Sequence, residues 1–247
     1  MNNAYLEVPS DLRGSLFLLG SRLISYPDDS ANEDWKRIAE DYDLLKGAEI
    51  VDSANWNQCL DQLRNKLEEA RGLDDWRSEY VSVFDTGREA NPLHETEYGK
   101  SRAMTKGAHL ADISGFYKAF GFSLDDKKSF REMPDHIAVE LEFYGLLLLK
   151  EHHLREIEDG LGVKTVQDAQ MKFLRDHLGT FIGALKFRPG VCASSLFAPI
   201  ANWIAVLVEE ESKRLNVEPK KVIYATDEKE PDLMCCDTKL GGSKPCA

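Results

Sequence analysis

The run spanning residues 134–153, PDHIAVELEFYGLLLLKEHH, constrains the fold more than any other stretch of this chain. Ile137, Leu141, Tyr144 and Leu148 repeat at helical spacing, and Val139, Phe143, Leu146, Leu147 and Leu149 fill most of the remaining circumference. An apolar stripe one face wide marks a surface helix, whereas one this broad marks a helix enclosed on nearly all sides. The run is too short and too charged at its ends to span a membrane. Other elements must therefore wrap it. Its start nevertheless carries Asp135, His136, Glu140 and Glu142. Buried carboxylates and imidazoles are costly unless they are paired. Two readings stand. Either the first turn is solvated and its acids suit the helix dipole, or the polar groups meet partners and form a recognition site at the mouth of the core helix.

The other apolar patterns are helical too. Ser10 can cap a helix bearing Leu12, Leu16, Leu19 and Leu23, which Tyr26-Pro27-Asp28-Asp29 stops. Further helices open at Asn32 and at Asp52, with Gly47 and Gly72 as their stops. Asp74 or Asp75 opens a fourth, on which Trp76, Tyr80, Val83 and Phe84 share a face. The stretch DTGREANPLHETEYGK, residues 85–100, fits neither helix nor strand period, and loops of this length are often functional. A fifth helix, about residues 101–120, places Met104, Ala108, Ala111, Ile113, Phe116, Tyr117 and Phe120 inside, with Gly121 as a left-handed cap. Thr165 can cap a seventh, KFRPGVCASS reads as a loop, and residues 196–215 form an amphipathic helix with Glu209 to Glu211 and Lys213-Arg214 outside. No strand alternation occurs. The pattern predicts an all-α, single-domain helical bundle of about eight helices over residues 1–216, followed by a polar, cysteine-containing C-terminal tail at 217–247.

Bulk properties narrow the function. With 247 residues and 43% apolar content the chain can build a sizeable core. A net charge of −12 argues against nucleic acid and anionic lipid and favours a basic partner. No basic region precedes the first apolar run, and no segment has the length for stable membrane insertion. The five cysteines are an odd set, with Cys235, Cys236 and Cys246 crowded at the end, so a reducing cytoplasm is the expected setting.

Candidate chemistry is sparse. His136 and Glu140 lie four apart on one helical face, but no third ligand can be assigned, so a hydrogen-bonded His–Glu pair is expected rather than a metal. No phosphate loop, nucleophile elbow or dinucleotide fingerprint occurs. No catalytic residue, metal or cofactor is therefore predicted. The alternative is a metal-binding enzyme or electron-transfer accessory built on His136, Glu140 and the tail cysteines.

Four segments in register resemble the TorD/NarJ family of redox-enzyme maturation chaperones, its NarJ-like branch above all. They are SRLISYPDD, EYVSVFDTGR, HLADISGFYKAFGF and EMPDHIAVELEFYGLL, together covering roughly residues 21–150. The resemblance implies an all-helical cytoplasmic protein without catalytic activity. It implies as partner the catalytic subunit of a molybdenum bis-MGD oxidoreductase, bound through its N-terminal, often twin-arginine, leader peptide. It also implies attendance on insertion of the molybdopterin guanine dinucleotide cofactor. Carried over by position, E-Y-x-x-x-F falls on Glu79, Tyr80 and Phe84, followed by Asp85. P-D-H falls on Pro134, Asp135 and His136, followed by Glu140, and the family's aromatic pair on Phe116 and Tyr117. The expected peptide-binding residues are thus Tyr80, Phe84, Asp85, Phe116, Tyr117, Asp135, His136 and Glu140. Aromatics offer area at low entropic cost and carboxylates pair with arginine, so this set suits capture of a basic, apolar peptide. The acids Asp85, Glu89, Glu95, Glu97, Asp135 and Glu140 are expected to speed the encounter electrostatically.

Overall fold

The computed structural model describes residues 8–29, 57–58, 61–62, 64–65, 72–85, 91–99, 102–124 and 133–221. These are helical, with no strand among them beyond a single bridge between His94 and His136. The helix expected from Asn32, most of the one expected from Asp52, and the tail cysteines lie outside the described residues.

Helix α1 (Ser10–Ile24) and the central helix α4 (Ile137–Glu156) form the heart of the bundle. They run antiparallel, since Gly14 meets Gly145 while Ser21 donates to the Ala138 carbonyl at 2.7 Å. At the crossing the backbones touch. A Cβ on Gly145 would lie 3.0 Å from the Gly14 carbonyl oxygen, and one on Gly14 would lie 2.9 Å from that of Gly145. Neither obstacle is a flexible side chain, so the helices themselves would have to part. Gly145→Ala should cost about 1–3 kcal/mol through overpacking, read as a lowered thermal midpoint. An unchanged midpoint would show that the two helices separate freely.

Helix α2 (Leu73–Tyr80) starts at Gly72, whose φ of +143° only glycine adopts readily; Asp74 and Asp75 sit in the first turn rather than at the cap. It continues into a π-turn over Val81–Asp85. The Arg77 guanidinium donates to the Pro27 carbonyl at 2.8 Å, so the Tyr-Pro-Asp-Asp stop after α1 also fastens α2. Helix α3 (Arg102–Ala119) closes at Gly121, whose φ of +71° is the left-handed cap expected there. Its apolar face is narrower than expected. Ile113 and Tyr117 are buried, but Met104, Ala108 and Ala111 are exposed. Periodicity alone cannot tell how far along a helix its neighbours extend.

Helix α5 (Gly160–Phe173) begins five residues before the expected Thr165, because Asp159 caps it, accepting from the Gly162 N–H at 2.9 Å. A π-turn (Leu174–Leu178) leads straight into α6 (Gly179–Leu185). Within the stretch read as a loop, Pro189–Ala193 forms the short helix α7, with proline in its first turn. Helix α8 (Phe197–Leu215) packs Ile204 against Gly20 of α1 and ends at Asn216 in the left-handed conformation. Past that cap the chain stays attached for a few residues. The Lys220 N–H donates to the Arg175 carbonyl at 2.9 Å, and Pro219 covers Gly179.

Two acids placed outside on α8 are in fact inside: Glu210 is buried and Glu211 fully so. Glu211 pairs with Arg13 of α1 through Oε1, and through Oε2 accepts from Tyr144 of α4 at 3.2 Å and from Arg214 at 2.9 Å. Arg214 continues to the Gln170 side-chain oxygen at 3.0 Å, and Gln170 donates to Glu151 at 2.9 Å. One buried polar chain thus joins α1, α4, α5 and α8.

Candidate functional site

The turn Pro134-Asp135-His136 precedes α4 at the end of the bundle away from that network. His136 is its N-cap. Its Nδ1 accepts from the Ala138 N–H at 3.2 Å, which requires the neutral imidazole with its proton on Nε2. Burial holds the His136 pKa down to about 3, with His94 pressing the same way and Asp135 opposing. Asp135 is equally enclosed yet ionised. Burial pushes its titration up, but His94 and Thr96 outweigh it and hold the carboxyl at about 2. Thr96 donates to Asp135 through its hydroxyl and its N–H, and the His94 ring lies 3.3 Å away.

These partners come from residues 91–99, within the polar stretch that fitted no period. The segment crosses the start of α4 and pairs with it as one antiparallel bridge. Glu95 N–H donates to the Asp135 carbonyl and Ile137 N–H to the Leu93 carbonyl, each at 2.9 Å. Glu95 then reaches the π-turn between α5 and α6, where His177 Nδ1 lies 3.0 Å from its carboxylate. His177 Nε2 faces Asp112 of α3 at 3.1 Å. Burial opposes a charge on His177, but the two carboxylates outweigh it and raise its pKa above the usual value. The site residues expected from the sequence do not include His94, Thr96 or His177. The first two sit in an aperiodic segment; His177 follows Phe173 by four residues, so the helical period marks its inward face, but nothing in that period signals its acidic partners Glu95 and Asp112.

Glu140 is the anomaly. It is fully buried, no N–H donor reaches either carboxyl oxygen, and the side chain it meets is the carboxyl of Glu95. The expected hydrogen bond with His136 is not made: its Nδ1 accepts from the helix backbone, and no imidazole N–H reaches Glu140. Burial first, then the neighbouring charges of Glu95 and Asp135 and a side-chain hydrogen bond with Glu95, push its titration well above the ordinary carboxylate range and favour its neutral form. The solvated-first-turn reading therefore fails for Asp135, His136 and Glu140, and holds only for Glu142.

The eight expected site residues fall into two groups. Tyr80 and Phe84 are buried with Phe197, their ring centroids 5.8 and 4.9 Å from it, while Asp85 beside them is exposed. Tyr117 is buried under the turn and donates to the Pro134 carbonyl at 2.7 Å; Phe116 is half-buried against His177. Residues 91–93 connect the groups, with Asn91 donating to the Val83 carbonyl at 2.8 Å and Leu93 pairing with α4. Only Asp85 and Phe116 are reachable from solvent. Glu79, first residue of the E-Y-x-x-x-F motif, accepts from the Leu196 N–H at 3.0 Å and from Ser194 and Ser195, fastening the start of α8. Among the expected steering acids, Glu95, Asp135 and Glu140 are buried, Glu97 pairs with Lys106 at 2.6 Å, and Glu89 lies outside the described residues. Among the described residues no group of three or more His, Cys, Asp or Glu is arranged to hold a metal ion, and no helix is long and apolar enough to cross a membrane.

The chain belongs to the nitrate reductase delta subunit family, within the TorD/NarJ group; the family profile matches residues 51–186. That match reaches beyond the motifs of the sequence reading to take in α5 and α6. Among curated proteins, the chain is 26% identical over 219 residues to a chlorate reductase assembly chaperone protein of Ideonella dechloratans, covering 89% of this chain and 97% of that one. It is 27% identical over 213 residues to a selenate reductase assembly chaperone protein of Thauera selenatis, covering 86% and 94% respectively.

Proposed function

We propose that this chain is a dedicated cytoplasmic assembly chaperone, not a catalyst, for the catalytic subunit of a molybdenum oxidoreductase. It binds the N-terminal, twin-arginine-type leader region of that subunit and attends insertion of the bis-molybdopterin guanine dinucleotide cofactor before export. Family membership and two relatives named as assembly chaperones along nearly their whole length support this reading. The observation that carries the site is the Pro134-Asp135-His136 turn with the buried carboxyl of Glu140 behind it, which no N–H donor reaches. Acidic and aromatic groups there have the chemistry to receive a cationic, apolar segment.

The test is a pull-down from the native host with the full chain as bait, followed by titration of the captured subunit's N-terminal peptide. A molybdoenzyme catalytic subunit is expected, with affinity residing in that peptide. Equal capture of a subunit lacking its N-terminus would overturn the leader part of the proposal. Asp135→Ala is a poor probe of binding, because it strips three buried polar partners and should itself cost about 1–3 kcal/mol. Asp85→Ala, at an exposed position, should weaken peptide binding several-fold while leaving the thermal midpoint nearly unchanged, whereas Phe116→Ala should weaken binding and also lower the midpoint, because its ring packs on Phe173 and His177. Unchanged affinity in both would remove the site from this end of the bundle.

A further inference from the structure

The polar groups around the turn lie beneath a loop rather than in an open cleft. Residues 91–99 are fastened at two apolar points. Leu93 is in the core, and the Tyr98 ring packs on Phe181 at 5.3 Å. Further attachments are polar: the bridge to α4, the contacts of His94 and Thr96 with Asp135, and that of Glu95 with His177. Hydrogen bonds exchanged for water cost little net free energy, whereas lifting a core helix exposes its whole apolar face. Asn91 and Glu97 add polar ties to the Val83 carbonyl and to Lys106, so the segment can lift without unfolding a core helix. Beneath this segment lies Glu140, with both oxygens buried, no N–H donor reaching them, and a side-chain hydrogen bond to Glu95 of the segment itself, which two carboxyls can make only while one of them holds a proton. A carboxyl enclosed without a cation or an N–H group beside it is costly once ionised, and a cation brought by a partner would offset that cost.

The geometry points to residues 91–99 as a lid over Glu140, closed while that carboxyl holds a proton and opened, with the proton passing to solvent, when a lysine or arginine side chain of the client engages it. This rests on the chaperone reading above. Glu140 is faced by Glu95 from the lid, by Asp135 and His136 from the turn, and by Tyr117 from α3, with His177 and Asp112 just beyond Glu95. Ionising Glu140 sets a second carboxylate against Glu95 in a poorly solvated place. Glu95 rides on the lid, so lifting the lid relieves the repulsion, and an incoming cation compensates what remains. His177 holds Glu95 from the other side and loosens as it gives up its own proton, also towards higher pH.

Amide hydrogen exchange at Glu95 and Ile137, whose N–H groups form the bridge, reads the lid without any client. Tyr144, inside α4, serves as the reference. After correction for intrinsic rates, protection at the two bridge amides should fall from pH 6 to 8.5, by up to about tenfold per pH unit where opening releases one proton. Tyr144 should not follow. Glu140→Gln, nearly isosteric and never charged, should flatten that dependence, and Glu140→Met should do the same. Bridge amides as protected as Tyr144 at every pH would overturn the lid. A slope undiminished in both variants would make His177 the titrating group and overturn the role of Glu140. Calorimetry of the leader peptide in two buffers of different ionisation heat then tests the client step. About one proton should be released by the wild type and none by Glu140→Gln. A lid that opens with a peptide that binds at no pH would sink the chaperone reading alone. A peptide that binds without proton release would sink the coupling.

Discussion

Glu211→Ala should lower stability by about 3–5 kcal/mol, the usual cost of breaking a buried ion pair from one side. The thermal midpoint should fall by on the order of 10 °C for a domain of this size. Glu211 is fully buried and is the acceptor shared by Arg13, Tyr144 and Arg214. Its removal leaves two enclosed guanidinium groups facing a cavity. Arg214 keeps the Gln170 side-chain oxygen at 3.0 Å and Glu151 at 3.9 Å, and Arg13 keeps the Val8 carbonyl at 3.1 Å, but the carboxylate that joins the two guanidinium groups is gone. The paired change Arg13→Met with Glu211→Leu should cost clearly less than the sum of the single changes. It removes both charges and restores apolar volume at the α1–α8 contact. Chemical denaturation of the four proteins of this cycle is the measurement. Additive losses would show that the two side chains do not share an interaction.

The second large effect has the opposite sign. Glu140→Met should stabilise the protein by about 1–3 kcal/mol at pH 7, because it removes a fully buried carboxyl crowded by the charges of Glu95 and Asp135. The gain should grow with pH. Burial raises the folded-state titration of Glu140 far above that of the unfolded chain. Below the unfolded value of about 4.3 both states hold the proton and no linkage penalty exists. As pH rises past it, the unfolded chain releases a proton that the fold must retain, so the wild type loses stability until the folded value is reached. The methionine variant carries no such dependence. His177 adds a wild-type loss on the same alkaline side, because its folded pKa is raised and its contribution vanishes as pH climbs through that value. His136 acts at the other end. Its folded value of about 3 means stability is lost as pH falls below the unfolded histidine value near 6.5. Parallel denaturation curves at pH 6 and 8 would show the difference between variant and wild type widening. A variant less stable than wild type at both would mean that the hydrogen bond of Glu140 with Glu95 outweighs the cost of its burial. A stabilised variant that no longer binds the client would show the carboxyl retained for function at the expense of the fold.

The broad apolar circumference of residues 134–153 was enough to identify the central helix, because enclosure leaves its mark on nearly every position. Helix ends were less legible. Gly160 looks like a breaker, yet Asp159 ahead of it supplies the cap. The polar turn was visible as a set of residue types, but its state was not. Whether Asp135 meets solvent or His94 and Thr96 depends on a segment about forty residues away that has no period of its own. Charge was misleading for a related reason. Glu211 and Arg214 read as one turn of a solvated face, and only the arrival of Arg13 from the first helix turns them inward. Sequence periodicity reports burial by apolar neighbours; it is silent about burial by a matching charge.

The π-turn at Leu174–Leu178 has a consequence for how this chain tolerates changes in length. Residues advance by roughly 100° around a regular helix, and a π-turn accommodates an extra residue as a local bulge. On one side of the bulge Phe173 and Leu174 face the core, on the other Phe181, Ile182 and Leu185 do, and His177 sits between them against Glu95. A one-residue deletion inside the bulge would tighten it to ordinary α-helical winding while keeping both apolar faces in phase. A one-residue deletion in the regular turns of α5 would instead rotate one end of that helix against the other. The bulge is therefore the place where a shorter chain can keep its packing and lose only His177's reach, making length variation there a means of changing the site while sparing the scaffold.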